Sequence, residues 1–205
     1  MSPRPPKPAS AASAGTNRPS FGQVRIIAGR WRGSKLPVLD LPGLRPSSDR
    51  LRETLFNWLQ PVLPGARVLD LFAGSGALGF EAASRGAAQV DLVEQSAAAV
   101  TALRASALRL AGDPPKGISV HAADALAWLA EPGRGPFDIA FVDPPFNAAL
   151  WTPALAALAP RLAAGAFVHV ESPNAQIATV PVGWHLHREI RSREAHLGLY
   201  RVEPA

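Results

Sequence analysis

Val68-Leu69-Asp70-Leu71-Phe72-Ala73-Gly74-Ser75-Gly76-Ala77-Leu78-Gly79 sets a short apolar run against a glycine-rich turn and the start of an alanine-rich stretch. The run has strand character, the turn has the spacing G-x-G-x-x-G at 74, 76 and 79, and the alanine-rich residues after it suit a helix. Glycine allows the tight turn and lets a nucleotide approach the backbone closely. Dinucleotide oxidoreductases use the same spacing, so the loop alone does not choose a ligand. Outward from it, short apolar runs alternate with helical stretches: Arg67 to Phe72, Gln89 to Val93, Gly117 to His121, Phe137 to Val142, Ala166 to Val170, Trp184 to Ile190 and Ala195 to Val202 read as strands. Segments such as Ala77 to Ser84 and Ser96 to Leu110 read as helices between them. This order predicts an α/β fold, Rossmann-like, with a mostly parallel sheet covered on both faces. The last two strands, separated by a few polar residues around Arg191 to Glu194, are expected to form an antiparallel hairpin.

Three acids sit at successive strand ends and narrow the choice of ligand. Asp70 lies just before the glycine loop, where a carboxylate would repel a pyrophosphate but attract the ammonium and sulfonium of S-adenosylmethionine. Glu94 ends the second strand and can accept both hydroxyls of an adenosine ribose, a role that does not separate the two cofactors. Asp124, after the third strand, can accept from an adenine amino group. The expected cofactor contacts are Asp70, Phe72, Ala73, Gly74, Ser75, Gly76, Glu94, Gln95, Asp124 and Ala125. Each acid could instead cap a helix, so they are weighed together.

After the fourth strand comes Asp143-Pro144-Pro145-Phe146, where an open α/β sheet places its ligand crevice. Asp143 can accept one N–H of an exocyclic amino group and the Pro144 carbonyl the other; Pro145 stiffens the turn and Phe146 offers a face for a base. Two acceptors draw the delocalised lone pair of such a nitrogen back onto it, ready for attack on a methyl donor. A rigid turn after a strand is the plainer alternative.

Residues 1–52 hold ten Lys or Arg against two acids, and the remainder eleven against fourteen. A polyanionic partner on the N-terminal segment accounts for that asymmetry, and a solvated basic tail is the alternative. Residues 1–20 carry five prolines and almost no large apolar side chains, and are expected to be disordered. Gln23 to Pro37 mixes β-branched residues, glycines and cations as a hairpin would. Arg25, Arg30, Arg32, Lys35, Arg45 and Arg50, with Trp31 between two arginines, are the candidate nucleic-acid contacts. Ser47, Ser48 and Asp49 are N-cap candidates for a helix with Leu51, Leu55, Trp58 and Leu59 on one stripe. No cysteine is present, which removes disulfides and thiolate chemistry, and no apolar run reaches the roughly 18 residues of a membrane span. A cytoplasmic setting is expected. His185 and His187 alternate along a strand without a third ligand, so no metal is expected, and Trp128 and Trp151 read as packing residues.

Together these segments resemble class I methyltransferases, and more closely the bacterial enzymes that methylate a guanine N2 in small-subunit (16S) ribosomal RNA, the RsmD type. The resemblance runs from about Arg25 to Glu203 and rests on four motifs in order: Arg25-Ile26-Ile27-Ala28-Gly29-Arg30-Trp31-Arg32-Gly33, Arg45 to Leu59, Leu69 to Gly76, and Asp143 to Phe146. Ala28 and Ser47 stand where the family would carry Gly and Thr. The resemblance implies a seven-stranded sheet with the last strand antiparallel, S-adenosylmethionine over the Gly74 loop, a guanine at Asp143 to Phe146, and a helix from Ser48 over the methionine end of the cofactor. Three regions are expected: a tail at 1–20 that lies outside the family pattern, a basic RNA-binding extension at 21–46 and a methyltransferase domain at 47–205. Its partner would be 16S ribosomal RNA or a small-subunit assembly particle, and the chain a monomer away from membranes. Competing readings are an adenine-N6 methyltransferase, which the same turn would serve, an NAD-dependent oxidoreductase using the glycine loop, and a non-catalytic RNA-binding module.

Overall fold

The computed structural model describes residues 22–39, 49–145, 150–192 and 195–203. A two-stranded hairpin, β1 (Gly22–Arg25) and β2 (Lys35–Val38), precedes helix α1 (Asp49–Leu59). Then come β3 (Arg67–Asp70), α2 (Ala77–Ser84), β4 (Gln89–Glu94), α3 (Ala97–Ala111), β5 (Ile118–Ala122), α4 (Ala125–Ala130), β6 (Phe137–Val142), α5 (Trp151–Leu158), β7 (Leu162–Pro173), β8 (Trp184–Arg191) and β9 (Ala195–Val202). The seven strands from β3 onward form one sheet in the order β5-β4-β3-β6-β7-β9-β8. Only β9 runs against its neighbours, pairing antiparallel with β7 and β8.

Helices cover both faces, as near-continuous apolar strands require. On one face α1, α2, α3 and the hairpin share a core that includes Val24, Ile26, Leu36, Phe56, Phe80, Leu103 and Phe141. On the other, α4 and α5 bury Trp128, Trp151, Leu155 and Leu158 against Leu69, Val142 and Val170. Strand order reverses between β3 and β6, which are neighbours although β4 and β5 lie between them in sequence. Such a reversal opens a crevice at the carboxyl ends of the two strands.

Three expectations need correction. The stripe on α1 is Arg52, Leu55, Phe56 and Leu59, a regular i, i+3, i+4, i+7 set, with Leu51 and Trp58 only partly buried at its margins. An arginine takes the core position because its Nη2 donates to the Arg25 carbonyl and to Asp49 Oδ1, both at 2.8 Å. β3 stops at Asp70, two residues short of Phe72, because the glycine turn begins there. β7 runs from Leu162 to Pro173, well beyond the expected Ala166 to Val170, because β9 pairs with it as far as Pro173. The N-cap candidates Ser47 and Ser48 and the tail at 1–20 lie outside the described residues.

Candidate active site

The glycine loop is shaped from below by its own side-chain conflicts. Gly74 and Gly76 sit at φ 51° and 76°, a region where a side chain is strained. A Cβ on Gly76 would lie 2.6 Å from the Phe80 ring, and one on Gly79 would overlap Leu92 Cδ2 and press on Asp70 Oδ2 at 3.2 Å. The loop therefore packs as tightly against the sheet as backbone alone allows.

Acids at the strand ends hold this loop. Asp70, 4% exposed, accepts from the Gly79 amide at 2.9 Å. Its burial, and then the charge of Glu94, push its pKa up to about 7 against the pull of that hydrogen bond. Glu94 accepts from the Gly74 amide at 2.9 Å and, through its other oxygen, from the Ser96 amide at 2.7 Å. Asp124 is exposed and caps α4, one oxygen accepting from Leu126 and Ala127 at 3.0 Å. The capping reading of Asp124 is thus correct as far as one oxygen goes; the second is not used in the cap. Phe72 and Ser75 are partly buried and Gln95 is exposed, while Ala73 and Ala125 are buried.

Asp143 follows β6 directly, across the switch point from Asp70. The register pairs Asp70 with Phe141, and the Leu71 amide donates to the Phe141 carbonyl at 3.1 Å, so Asp143 lies one pleat beyond Asp70's own partner. Its pKa is raised well above the ordinary carboxylate value by burial first and then by the charges of Glu171 and Asp70. Pro144 is buried and Pro145 partly so; Phe146 lies outside the described residues.

Two residues that the sequence analysis did not single out complete the row. β6 and β7 pair Phe141 with His169 and Val142 with Val170, so extending the register by one residue sets Glu171 beside Asp143. The Glu171 carbonyl accepts from Trp151 Nε1 at 2.7 Å, which fixes the strand backbone there. His169 is 1% exposed, and neither ring nitrogen has a hydrogen-bond partner among the described residues. Burial, and then the nearby His196, lower its pKa to about 4, so it is a neutral imidazole. The signal was present in Phe167-Val168-His169-Val170-Glu171, where polar residues on one strand face alternate with valines on the other.

The basic hairpin is anchored on the C-terminal half of α2. Glu81, fully buried, accepts from the Ile27 and Ala28 amides at 2.6 and 3.0 Å and from Arg85 Nε at 2.7 Å. Ser84 Oγ accepts from the Trp31 amide and donates to the Ala28 carbonyl, at 2.9 and 2.6 Å. A Cβ on Gly29 would overlap the Ser84 carbonyl, so this contact needs glycine. Of the candidate cations, Arg30, Arg32, Lys35 and Arg50 are exposed, Arg30 lying 4.1 Å over the Trp31 ring. Arg25 is also exposed but lies 3.5 Å from Asp49, and Arg45 lies outside the described residues. Trp31 is partly buried and packs against the core, so its ring supports Arg30 from within the fold. Among the described residues no group of three His, Cys, Asp or Glu could hold a metal ion; His185 instead contacts Glu203 at 2.6 Å.

Comparison with known proteins places this arrangement in a family. The model of the family described as Conserved hypothetical protein 95 matches residues 24–201. Ribosomal RNA small subunit methyltransferase D of Escherichia coli (strain K12) is 45% identical over 190 residues, covering 91% of this chain and 94% of that protein. The protein of the same name from Haemophilus influenzae is 41% identical, covering 82% and 88%. A solved structure from Escherichia coli, 45% identical, matches with TM-score 0.80 over 90% of this chain and all of that one. Matched along most of its length in both sequence and fold, the chain belongs to the RsmD-type methyltransferase family.

Proposed function

We propose that the chain transfers a methyl group from S-adenosylmethionine to the exocyclic N2 of a guanine in 16S ribosomal RNA of the small subunit. The observation that carries this reading is that the glycine loop and Asp143-Pro144-Pro145 follow the neighbouring strands β3 and β6 at the switch point of the sheet. The relatives' names support ribosomal RNA as the substrate class.

The residues present fit the donor. Side chains at 76 or 79 would overlap Phe80, Leu103 and Leu92, so the loop presents bare backbone, and carboxylates stand at the ends of β3, β4 and after β5. Asp70, just before the loop, favours a cationic nucleoside over a pyrophosphate, which its carboxylate would repel. Asp70, Gly74, Ser75 and Gly76 would face the methionine end, Glu94 with Gln95 the ribose, and Asp124 with Ala125 the adenine; Phe72 and Ala73 line the loop. When bound, S-adenosylmethionine supplies a methyl group activated by its sulfonium.

The chain's own residues present the acceptor. Asp143 accepts one N–H of the amino group, the Pro144 carbonyl accepts the other, and Pro145 keeps the turn rigid, so the nitrogen lone pair is directed into the crevice. Phe146 offers a stacking face for the base. Burial and the neighbouring carboxylates raise the proton affinity of Asp143. That suits it to take the proton that the positively charged, methylated nitrogen sheds. Arg25, Arg30, Arg32, Lys35, Arg45 and Arg50 bind phosphates, with Trp31 bracing the arm. The target base leaves its stack to reach the crevice. The substrate is 16S RNA or an assembling small subunit, met by a monomer; no helix among the described residues is long and apolar enough to cross a membrane.

The test is transfer of labelled methyl to small-subunit RNA, or particles, lacking the modification, with nucleoside analysis of the product. N2-methylguanosine is expected with the wild type and not with Asp143→Ala. A different methylated nucleoside would overturn the substrate, and cofactor binding without transfer to any form would overturn the activity.

A further inference from the structure

Asp143 directly follows β6 and Glu171 lies on the adjacent parallel β7, each one residue past the last register pair Val142–Val170, in strands about 4.8 Å apart. Their charges influence each other, and Glu171 is only 8% exposed. Side by side, two carboxylates offer a pair of acceptors to a ligand edge that carries two N–H donors. Beneath them on the same face, His169 is buried with both ring nitrogens lacking a partner among the described residues. Being neutral, it adds no positive charge under the pair.

Guanine presents N1–H and the 2-amino group next to each other on one edge, whereas adenine places a bare acceptor, its own N1, beside the 6-amino group. Resting on the function proposed for this site, we propose that Glu171 is its specificity-determining residue: its carboxylate accepts the N1–H of the guanine whose 2-amino group Asp143 and Pro144 hold. An adenine set into the same place would turn its N1 lone pair towards a carboxylate, leaving two acceptors facing each other and no donor between them. The Asp-Pro-Pro turn recognises an amino group on either base, and Glu171 makes the distinction. Trp151 serves this function indirectly, because its indole N–H on the Glu171 carbonyl fixes the strand from which the carboxylate reaches.

The experiment uses the full chain and two versions of small-subunit RNA, ligated from synthetic segments and reconstituted into particles where naked RNA is not methylated. One carries guanine at the position that the nucleoside analysis identifies; the other carries 2-aminopurine, which keeps the 2-amino group but has a bare N1. Wild-type enzyme is expected to prefer guanine by about 100-fold or more in kcat/KM. Glu171→Gln offers an amide donor to N1 and is expected to shrink that preference at least tenfold, by losing rate on guanine and gaining it on 2-aminopurine. S-adenosylmethionine affinity should stay within about twofold of wild type, which a merely structural loss would not allow. An unchanged base preference in Glu171→Gln overturns the proposal. So does a wild-type enzyme that methylates both RNAs equally, a result that needs no variant to fold. If the wild type forms no N2-methylguanosine at all, the reaction assignment itself has failed instead.

Discussion

In the crevice, Asp70, Glu94 and Asp124 each commit at least one oxygen to a backbone amide of the loop or helix beside them. On the hairpin the arrangement is inverted: the cations Arg30, Arg32 and Lys35 are exposed, and the backbone between the strands is held by Glu81 and Ser84. A small ligand of fixed shape needs acceptors that do not move when it binds, and amide-tethered carboxylates meet that need. A folded polyanion of variable local shape is better met by side chains free to reorient on a backbone that stays in place. The two regions are linked through α1, since Arg85, paired to Glu81, lies 5.1 Å over the Phe56 ring, which packs 5.7 Å from Phe141 of β6.

Glu81→Ala breaks the comparison most severely, because it orphans two amides of the arm and leaves the largely buried Arg85 side chain without its carboxylate. Unfolding by denaturant should show a loss of about 3–5 kcal/mol. RNA affinity should fall with it while donor affinity in the remaining folded protein is kept. Asp143→Asn tests the other region with little change of shape: methyl transfer should drop by about 100- to 1,000-fold in kcat, with cofactor and RNA affinities near wild type. A drop in RNA affinity of similar size would show that the turn binds rather than orients.

Asp70 gives a pH signature. Its folded pKa of about 7 lies above the ordinary carboxylate value of 3.8. The folded state therefore binds more protons between those limits, and stability is lost as pH rises from about 4 to about 7. Asp70→Asn keeps an acceptor for the Gly79 amide without the charge. Thermal unfolding of the ligand-free variant should show it more stable than wild type at pH 8, by about 2 kcal/mol, with the gap closing near pH 4. His169, with a folded pKa of about 4, acts in the opposite direction, withdrawing stability as pH falls from about 6.5. His169→Phe should flatten only that acid limb. The smallest effect belongs to the arm's tips: Arg30→Ala with Arg32→Ala should weaken RNA binding about tenfold and reduce the salt slope by about 1 to 2. An unchanged slope would make the arm a bystander.

Much of the crevice was legible in the sequence because its chemistry is local. Gly74, Gly76 and Gly79 announce their turn by spacing, and Asp70, Glu94 and Asp143 come after apolar runs closely enough to be placed at strand ends. The residues that escaped sequence reasoning depend on partners far along the chain. Glu81 looks like an ordinary helix acid until the hairpin, more than 50 residues earlier, brings its amides to it. Glu171 fell one residue outside the expected strand, since it was β9, not local propensity, that extended β7 to Pro173. Arg52 is overshadowed in the sequence by its neighbours Leu51 and Leu55 because its burial is offset in part by the Arg25 carbonyl, 27 residues earlier, which only the folded chain supplies.

The placement of β9 between β7 and β8 also has a bearing on biosynthesis. β8 leaves the ribosome before the strand that joins it to the rest of the sheet, so until β9 emerges both β7 and β8 carry an open edge. The sheet cannot grow outward strand by strand there; β9 pairs with its sequence neighbour β8 as a hairpin and joins that hairpin to β7. For that interval the nascent chain exposes the future neighbours of Leu197 and Leu199, an open edge of the kind that pairs wrongly if left uncovered.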